Sequence, residues 1–142
     1  MLIEVKVKVA RVIDSKIRKR TETYLLEKEV FAQAEYVVLA KLNNEQEQSL
    51  VDNFEVQSLK LSSIKEVADQ FTGEFSFIAT LKDIFHTDDG TEKTMKYKVL
   101  LWANSLTEAN SNAQQLAREG YDMQIEGIKQ VDYEYLIDEV NE

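Results

Sequence analysis

Cysteine and proline are both absent from the 142 residues, glycine occurs four times, and there is one histidine and one tryptophan. The missing thiols exclude disulfides, thiolate nucleophiles and the usual structural zinc sites, and they suit a cytoplasmic address. Without proline, and with so little glycine, no stretch has the composition of a linker, so one domain over 1–142 is expected rather than two on a tether. No apolar run approaches the roughly 18 residues of a membrane span. The N-terminal Met1-Leu2-Ile3-Glu4-Val5-Lys6-Val7-Lys8 carries charges at alternate positions where a leader needs an unbroken apolar core. A soluble protein with no membrane partner is expected.

Positive charge is also scarce. Seventeen Lys and Arg stand against 26 Asp and Glu, a formal charge of −9. Such a chain cannot coat duplex DNA indiscriminately, because neutralising phosphates needs a cationic excess along the contact surface. A local basic patch on an acidic body remains open.

The parts of an active site are missing as well. There is no glycine-rich phosphate loop and no Walker-type lysine. A nucleophile and base relay would have to be assembled around the single His86. Carboxylates are too numerous to single out a working pair. His86 with Asp83, Asp88 and Asp89 offers metal-ligand types, but two aspartates beside Gly90 are what a tight turn requires. A non-enzymatic protein with no metal and no cofactor is expected.

What is present is periodicity. Phe75, Phe77, Ala79 and Leu81 alternate with Glu74, Ser76, Thr80 and Lys82, Asp88-Asp89-Gly90-Thr91 supplies a turn, and Tyr97, Val99 and Leu101 restore the alternation, giving a β-hairpin from Glu74 to Trp102. A second version lies upstream: Ile3, Val5, Val7 and Val9 alternate with charged residues, and Thr23 to Glu27 forms a returning strand after the cationic connection Lys16 to Arg20. Spacings of three and four then mark helices. One stripe is Phe31, Ala34, Val38 and Leu42, ending near Asn43-Asn44; the other is Leu106, Ala109, Ala113 and Leu116, with Asn104 or Ser105 as the N-cap and Gly120 as the C-cap. Phe54, Val56, Leu59 and Leu61 make a further strand, matched by Met123, Ile125 and Ile128.

The order β-β-α-β thus occurs twice. Tyr24 matches Tyr97, Phe31 matches Leu106, Ala34 matches Ala109 and Leu59-Lys60 matches Ile128-Lys129, at an offset of about 70 residues. The fold class is α+β: a duplicated ββαβ unit forming one domain, with pseudo-repeats 1–72 and 73–142, an antiparallel-rich sheet and two helices. Phe31, Leu39, Leu106, Leu116, Phe77 and Trp102 are expected to share its core.

Glu4-Val5-Lys6-Val7, Thr21-Glu22-Thr23-Tyr24-Leu25 and Ala34-Glu35, with Glu92-Lys93-Thr94 and the Tyr97 strand, are pieces that resemble a domain-of-unknown-function family common in Bacteroidetes chromosomes and in phages of gut Bacteroidales. The resemblance spans most of the chain and implies no established activity.

Lys16, Arg18, Lys19 and Arg20 form the densest basic cluster, and Tyr24 follows them. Lys93, Lys96 and Lys98 form a sparser cluster on the second hairpin. Basic residues beside sheet aromatics are how many single-strand binders combine phosphate attraction with base stacking, so single-stranded nucleic acid is the favoured partner. The alternative is a protein–protein module, a homodimer or an adaptor that counters a host factor, using a sheet face or edge. The tail from Asp132 to Glu142 is acidic with interleaved apolar residues. It suits either recruitment of a basic partner or packing of Tyr133, Leu136 and Val140 as a terminal strand or helical turn.

Overall fold

The computed structural model describes residues 1–119 and 123–137. The elements run β1 (Leu2–Ile13), β2 (Lys16–Glu27), α1 (Phe31–Glu47), β3 (Val51–Leu61), β4 (Ile64–Ala68), β5 (Phe75–His86), β6 (Glu92–Ala103), α2 (Leu106–Glu119), β7 (Met123–Val131) and β8 (Tyr133–Leu136). The expected order β-β-α-β is present twice, and each copy is followed by one more short strand, β4 or β8. Among the described residues no helix is long and apolar enough to cross a membrane.

The strands form two four-stranded, mostly antiparallel sheets, which with the two helices make the fold α+β, as expected. The chain divides accordingly into two compact units, Met1–Ser62 with β8, and Ser63–Asp132. The first sheet has the order β3-β1-β2-β8, and the second β4-β6-β5-β7. Within each, the hairpin and the strand after the helix are antiparallel, whereas the short strand runs parallel to the second hairpin strand. The two orders are the same topology. Counted along the sequence, β4 closes the first repeat and β8 the second. Counted by hydrogen bonds, β4 pairs with β6 and β8 with β2, so the repeats exchange their last strands.

Register fixes the correspondence residue by residue. Ile3 faces Leu26 across the first hairpin and Leu61 across β3; Phe77 faces Leu101 and Gln130 in the second sheet. Both sheets carry a bulge at the same place, between Lys6 and Val7 and between Thr80 and Leu81. The matches of Ala34 with Ala109 and of Leu59 with Ile128 agree with this frame. That of Tyr24 with Tyr97 does not: Tyr24 corresponds to Val99, and Tyr97 to Glu22. The loop of the second hairpin is longer, and this displaces the simple offset.

Each unit has its own apolar core on the helix side of its sheet. In the first, Ile3, Val5, Val7 and Val9 meet Tyr24, Leu26, Ala34, Val38 and Leu42. In the second, Phe77, Ala79, Leu81, Val99 and Leu101 meet Ala109, Ala113 and Leu116. The single core expected from six large residues is therefore corrected. Phe77 and Leu116 lie in the second cluster, but Phe31 is 40% and Leu106 59% exposed, because each opens its helix beyond the covered part of the sheet. Trp102 is half-buried and points to the face opposite Val99 and Leu101. Leu42→Ala is accordingly expected to lower stability by about 2–5 kcal/mol and Leu106→Ala by less than about 0.5, as urea unfolding would show.

Local chemistry explains the boundaries. Ser105 is the N-cap of α2, its Oγ accepting the Glu108 N–H at 3.1 Å, while Asn104 Oδ1 accepts from the Glu74 N–H at 2.9 Å. The Gly120 cap lies outside the described residues. Helix α1 does not stop at Asn43-Asn44. It continues to Glu47 because Glu45, one turn after Lys41, pairs with it and with a strand arginine, and it ends where Ser49 turns to φ 63°. The Thr87–Thr91 loop closes the second hairpin as expected, with Gly90 at φ 83° and Asp89 accepting from Thr87 and from the Thr91 N–H. Gly73 has a different reason: a Cβ there would stand 2.3 Å from the Ala103 carbonyl carbon. Of the tail, Tyr133 and Leu136 belong to the terminal strand β8, and Val140 lies outside the described residues.

Candidate nucleic-acid interface

Lys16, Arg18, Lys19 and Arg20 are not in a loop. The first hairpin turns on two residues, Asp14 (φ 51°) and Ser15 (φ 63°), both left-handed as a two-residue hairpin turn demands, and Lys16 already pairs with Ile13. The cationic run is therefore the first half of a twelve-residue strand, and every residue from Lys16 to Thr21 is exposed. The reason lies in the sheet. β8 covers β2 only from Thr23 to Leu26, so the outer side of Lys16–Glu22 has no neighbouring strand among the described residues. This half of β2 is an open sheet edge.

Alternation distributes the charges over two faces. Lys16, Arg18 and Arg20 share the α1 face with Glu22 and Tyr24; Lys19 is on the other face with Ile17 and Thr21. Tyr24 is corrected as a stacking platform. It is fully buried in the first core, under Lys41 at 5.8 Å from the ring centroid, and its hydroxyl donates to Glu22 Oε1 at 2.5 Å. No base can reach that ring without unfolding the unit.

Arg11 is the residue that the sequence reading missed. It continues the inward phase of Ile3, Val5, Val7 and Val9, and a cation in that phase must meet acids; this was the available signal. Its Nε and Nη2 donate to the two Glu22 oxygens at 2.5 and 2.7 Å, Nη1 donates to Glu45 at 2.9 Å, and Nη2 also reaches the Tyr24 hydroxyl at 3.3 Å. Arg20 Nε adds a third cationic hydrogen bond to Glu22 at 2.6 Å. Burial by itself would raise the Glu22 pKa, but hydrogen bonds from Arg11, Tyr24 and Arg20 outweigh it and bring the value down to about 2. Burial raises the Tyr24 pKa, and its hydrogen bond to Glu22 adds to this. Arg11 and Arg20 are thus largely neutralised, whereas Lys16, Arg18 and Lys19 make no ion pair among the described residues.

The second hairpin does not repeat this arrangement. Lys93, Lys96 and Lys98 all lie on β6, but Lys93 is on the α2 face with Tyr97, and Lys96 and Lys98 are on the other. Lys96 is paired to Glu126 at 2.7 Å, and Lys98 is half-buried between Thr80 and Ile64. By register, Phe85 stands in the place of Arg11, Met95 in that of Arg20 and Tyr97 in that of Glu22. The Tyr97 hydroxyl meets Met123 Sδ at 2.7 Å instead of a carboxylate. Within the second unit these lysines form no continuous cationic row.

No curated protein and no solved structure matches the chain. A family model described as Domain of unknown function (DUF4494) matches residues 1–139. With all but its last residues inside that match, the chain belongs to this family of unknown function.

Proposed function

We propose that the protein is a non-enzymatic binder of single-stranded nucleic acid, acting in a cytoplasmic, phage-linked or replication-associated setting, with the open half of β2 as its main contact. The observation that carries this reading is the exposed, unpaired strand edge on which Lys16, Arg18 and Lys19 have no acidic partner among the described residues. Lys16 and Arg18 stand two residues apart, about 6.6 Å along an extended strand, far enough for each to meet a separate phosphate, while Arg20 is held by Glu22. With Tyr24 buried, affinity would come from the phosphate backbone more than from stacking. Lys93, Lys96 and Lys98 contribute at most singly, since Lys93 is on one face and, on the other, Lys96 is paired with Glu126 and Lys98 is half-buried.

Replacing Lys16, Arg18, Lys19 and Arg20 together with Ser should weaken binding of a labelled oligonucleotide and flatten the slope of log affinity against log salt by about 2 to 3, at about 0.7 per phosphate contact. Fluorescence anisotropy at low and moderate salt measures both. No binding by the wild-type protein at low salt would overturn the proposal, because screening is weakest there.

One observation favours a second reading. The same edge presents unpaired backbone N–H and C=O groups, which could accept an acidic peptide as an added strand. Retained capture of a protein partner, with no affinity for oligonucleotides, would identify that case.

A further inference from the structure

The face of the first sheet that points away from α1 holds a groove of about 580 Å³ towards the hairpin turn. Two register rows build it. Glu55, Lys8 and Thr21 lie side by side across β3, β1 and β2; Asn53, Ala10 and Lys19 form the next row. Neighbouring strands are about 4.8 Å apart, so the walls on β3 and β2 stand roughly 9.6 Å from each other over β1. Ala10 is the small residue of the floor and is 2% exposed, whereas the five longer side chains around it are exposed.

The two walls differ in chemistry. On the β2 side Lys19 and the Thr21 hydroxyl, with Lys8 from the floor, present donors and positive charge. On the β3 side Glu55 presents a carboxylate that can only accept, and Asn53 an amide that can do both. Lys8 and Glu55 are register partners, yet neither makes an ion pair among the described residues, so both remain available to a ligand. A groove of this size lies within the range that seats small organic ligands. One phosphorylated nucleotide matches the polarity: phosphate towards Lys8, Lys19 and Thr21, base edge towards Asn53 and Glu55.

Building on the nucleic-acid reading above, we infer that this groove seats one nucleotide of the bound strand and that Glu55 selects bases bearing an exocyclic amine. Cytosine offers its N4 amine to a carboxylate and its carbonyl oxygen to the Asn53 amide. Thymine has no such amine and turns a carbonyl oxygen towards Glu55, leaving two acceptors opposed. Lys19 belongs to both contacts: its phosphate lies in the groove, and the strand continues from there along the edge of β2.

Anisotropy with labelled oligodeoxycytidine and oligothymidine of equal length tests this. The wild-type protein should bind the cytidine strand about tenfold more tightly, the scale of one hydrogen bond to a charged group. Glu55→Gln should bring that ratio close to one without weakening oligothymidine, whereas Lys16→Ser with Arg18→Ser should weaken both strands and preserve the ratio. A purely electrostatic role for Glu55 would shift both strands alike. Glu55 is an exposed residue of an edge strand, and a circular dichroism melt confirms that its variant folds. Equal binding of the two strands by the wild-type protein, or a ratio unchanged in Glu55→Gln, overturns the inference while leaving the nucleic-acid reading standing. Binding of neither strand at low salt overturns both.

Discussion

Glu22→Ala is expected to lower the unfolding free energy by about 2–4 kcal/mol, a large effect for a surface-proximal carboxylate. Glu22 is 12% and Arg11 15% exposed in their side chains, and removing the acid leaves the Arg11 guanidinium with only Glu45 as a carboxylate partner and the Tyr24 hydroxyl without its acceptor. Glu22→Gln keeps an acceptor but loses the charge, and should cost less. The same lock gives a pH signature. The folded-state pKa of about 2 lies below the ordinary 4.5, so the unfolded chain takes up the proton first as acid is added. The contribution of Glu22 is therefore complete above about 4.5 and disappears as pH falls towards about 2. Urea titrations of wild-type and Glu22→Gln protein should differ at neutral pH and converge across that window. A constant difference at all pH values would show that the carboxylate acts by packing alone.

Ending the chain after Asp132 should be at least as damaging, at about 3–5 kcal/mol. It removes β8, and with it Leu136, which packs against the core of the first unit, and the ladder from Thr23 to Leu26. The lost strand is the far end of the sequence, but the damage should appear in the first unit: hydrogen exchange should accelerate at Leu25 and Leu26, while Val99 and Leu101, in the sheet closed by β4, keep their protection. An unchanged melting temperature and exchange pattern would mean that β8 adds nothing to the sheet it joins.

These two features also show where the sequence was legible and where it was not. Ile3 to Val9 alternate because the helix face of β1 is buried, the same phase marks Phe77, Ala79 and Leu81 although Ile78 on the other face is buried too, and Gly90 and Ser105 carry local chemistry that needs no tertiary context. The turn at Asp14-Ser15 escaped because it adopts left-handed backbone without glycine, and this converted a strand edge into an apparent loop. β4 escaped, and β8 stayed open between a terminal strand and a helical turn, because short parallel strands such as Ile64–Ala68 and Tyr133–Leu136 have too few residues to show a period, and their partners lie in the other repeat. Of the candidate site, the cations were visible by composition. Their environment was not: Tyr24 lies under a helix, and Glu22 takes donors from Arg11, Arg20 and Tyr24, which only the register brings together.

The exchange of last strands has a consequence for the order of events on the ribosome. The first sheet cannot be completed when its own hairpin, helix and third strand have emerged, because its fourth strand is translated only after the whole of the second unit. The second unit meets no such delay, since β4 is made before β5 and β6 and waits for them. The nascent first unit therefore spends the whole synthesis of the second with β2 uncovered along its full length, and its closure is the contact of longest sequence separation, the slowest kind to form. Lys16, Arg18, Lys19 and Arg20 line half of that waiting strand, so the charges that would later meet a ligand also repel a second nascent chain from docking there first.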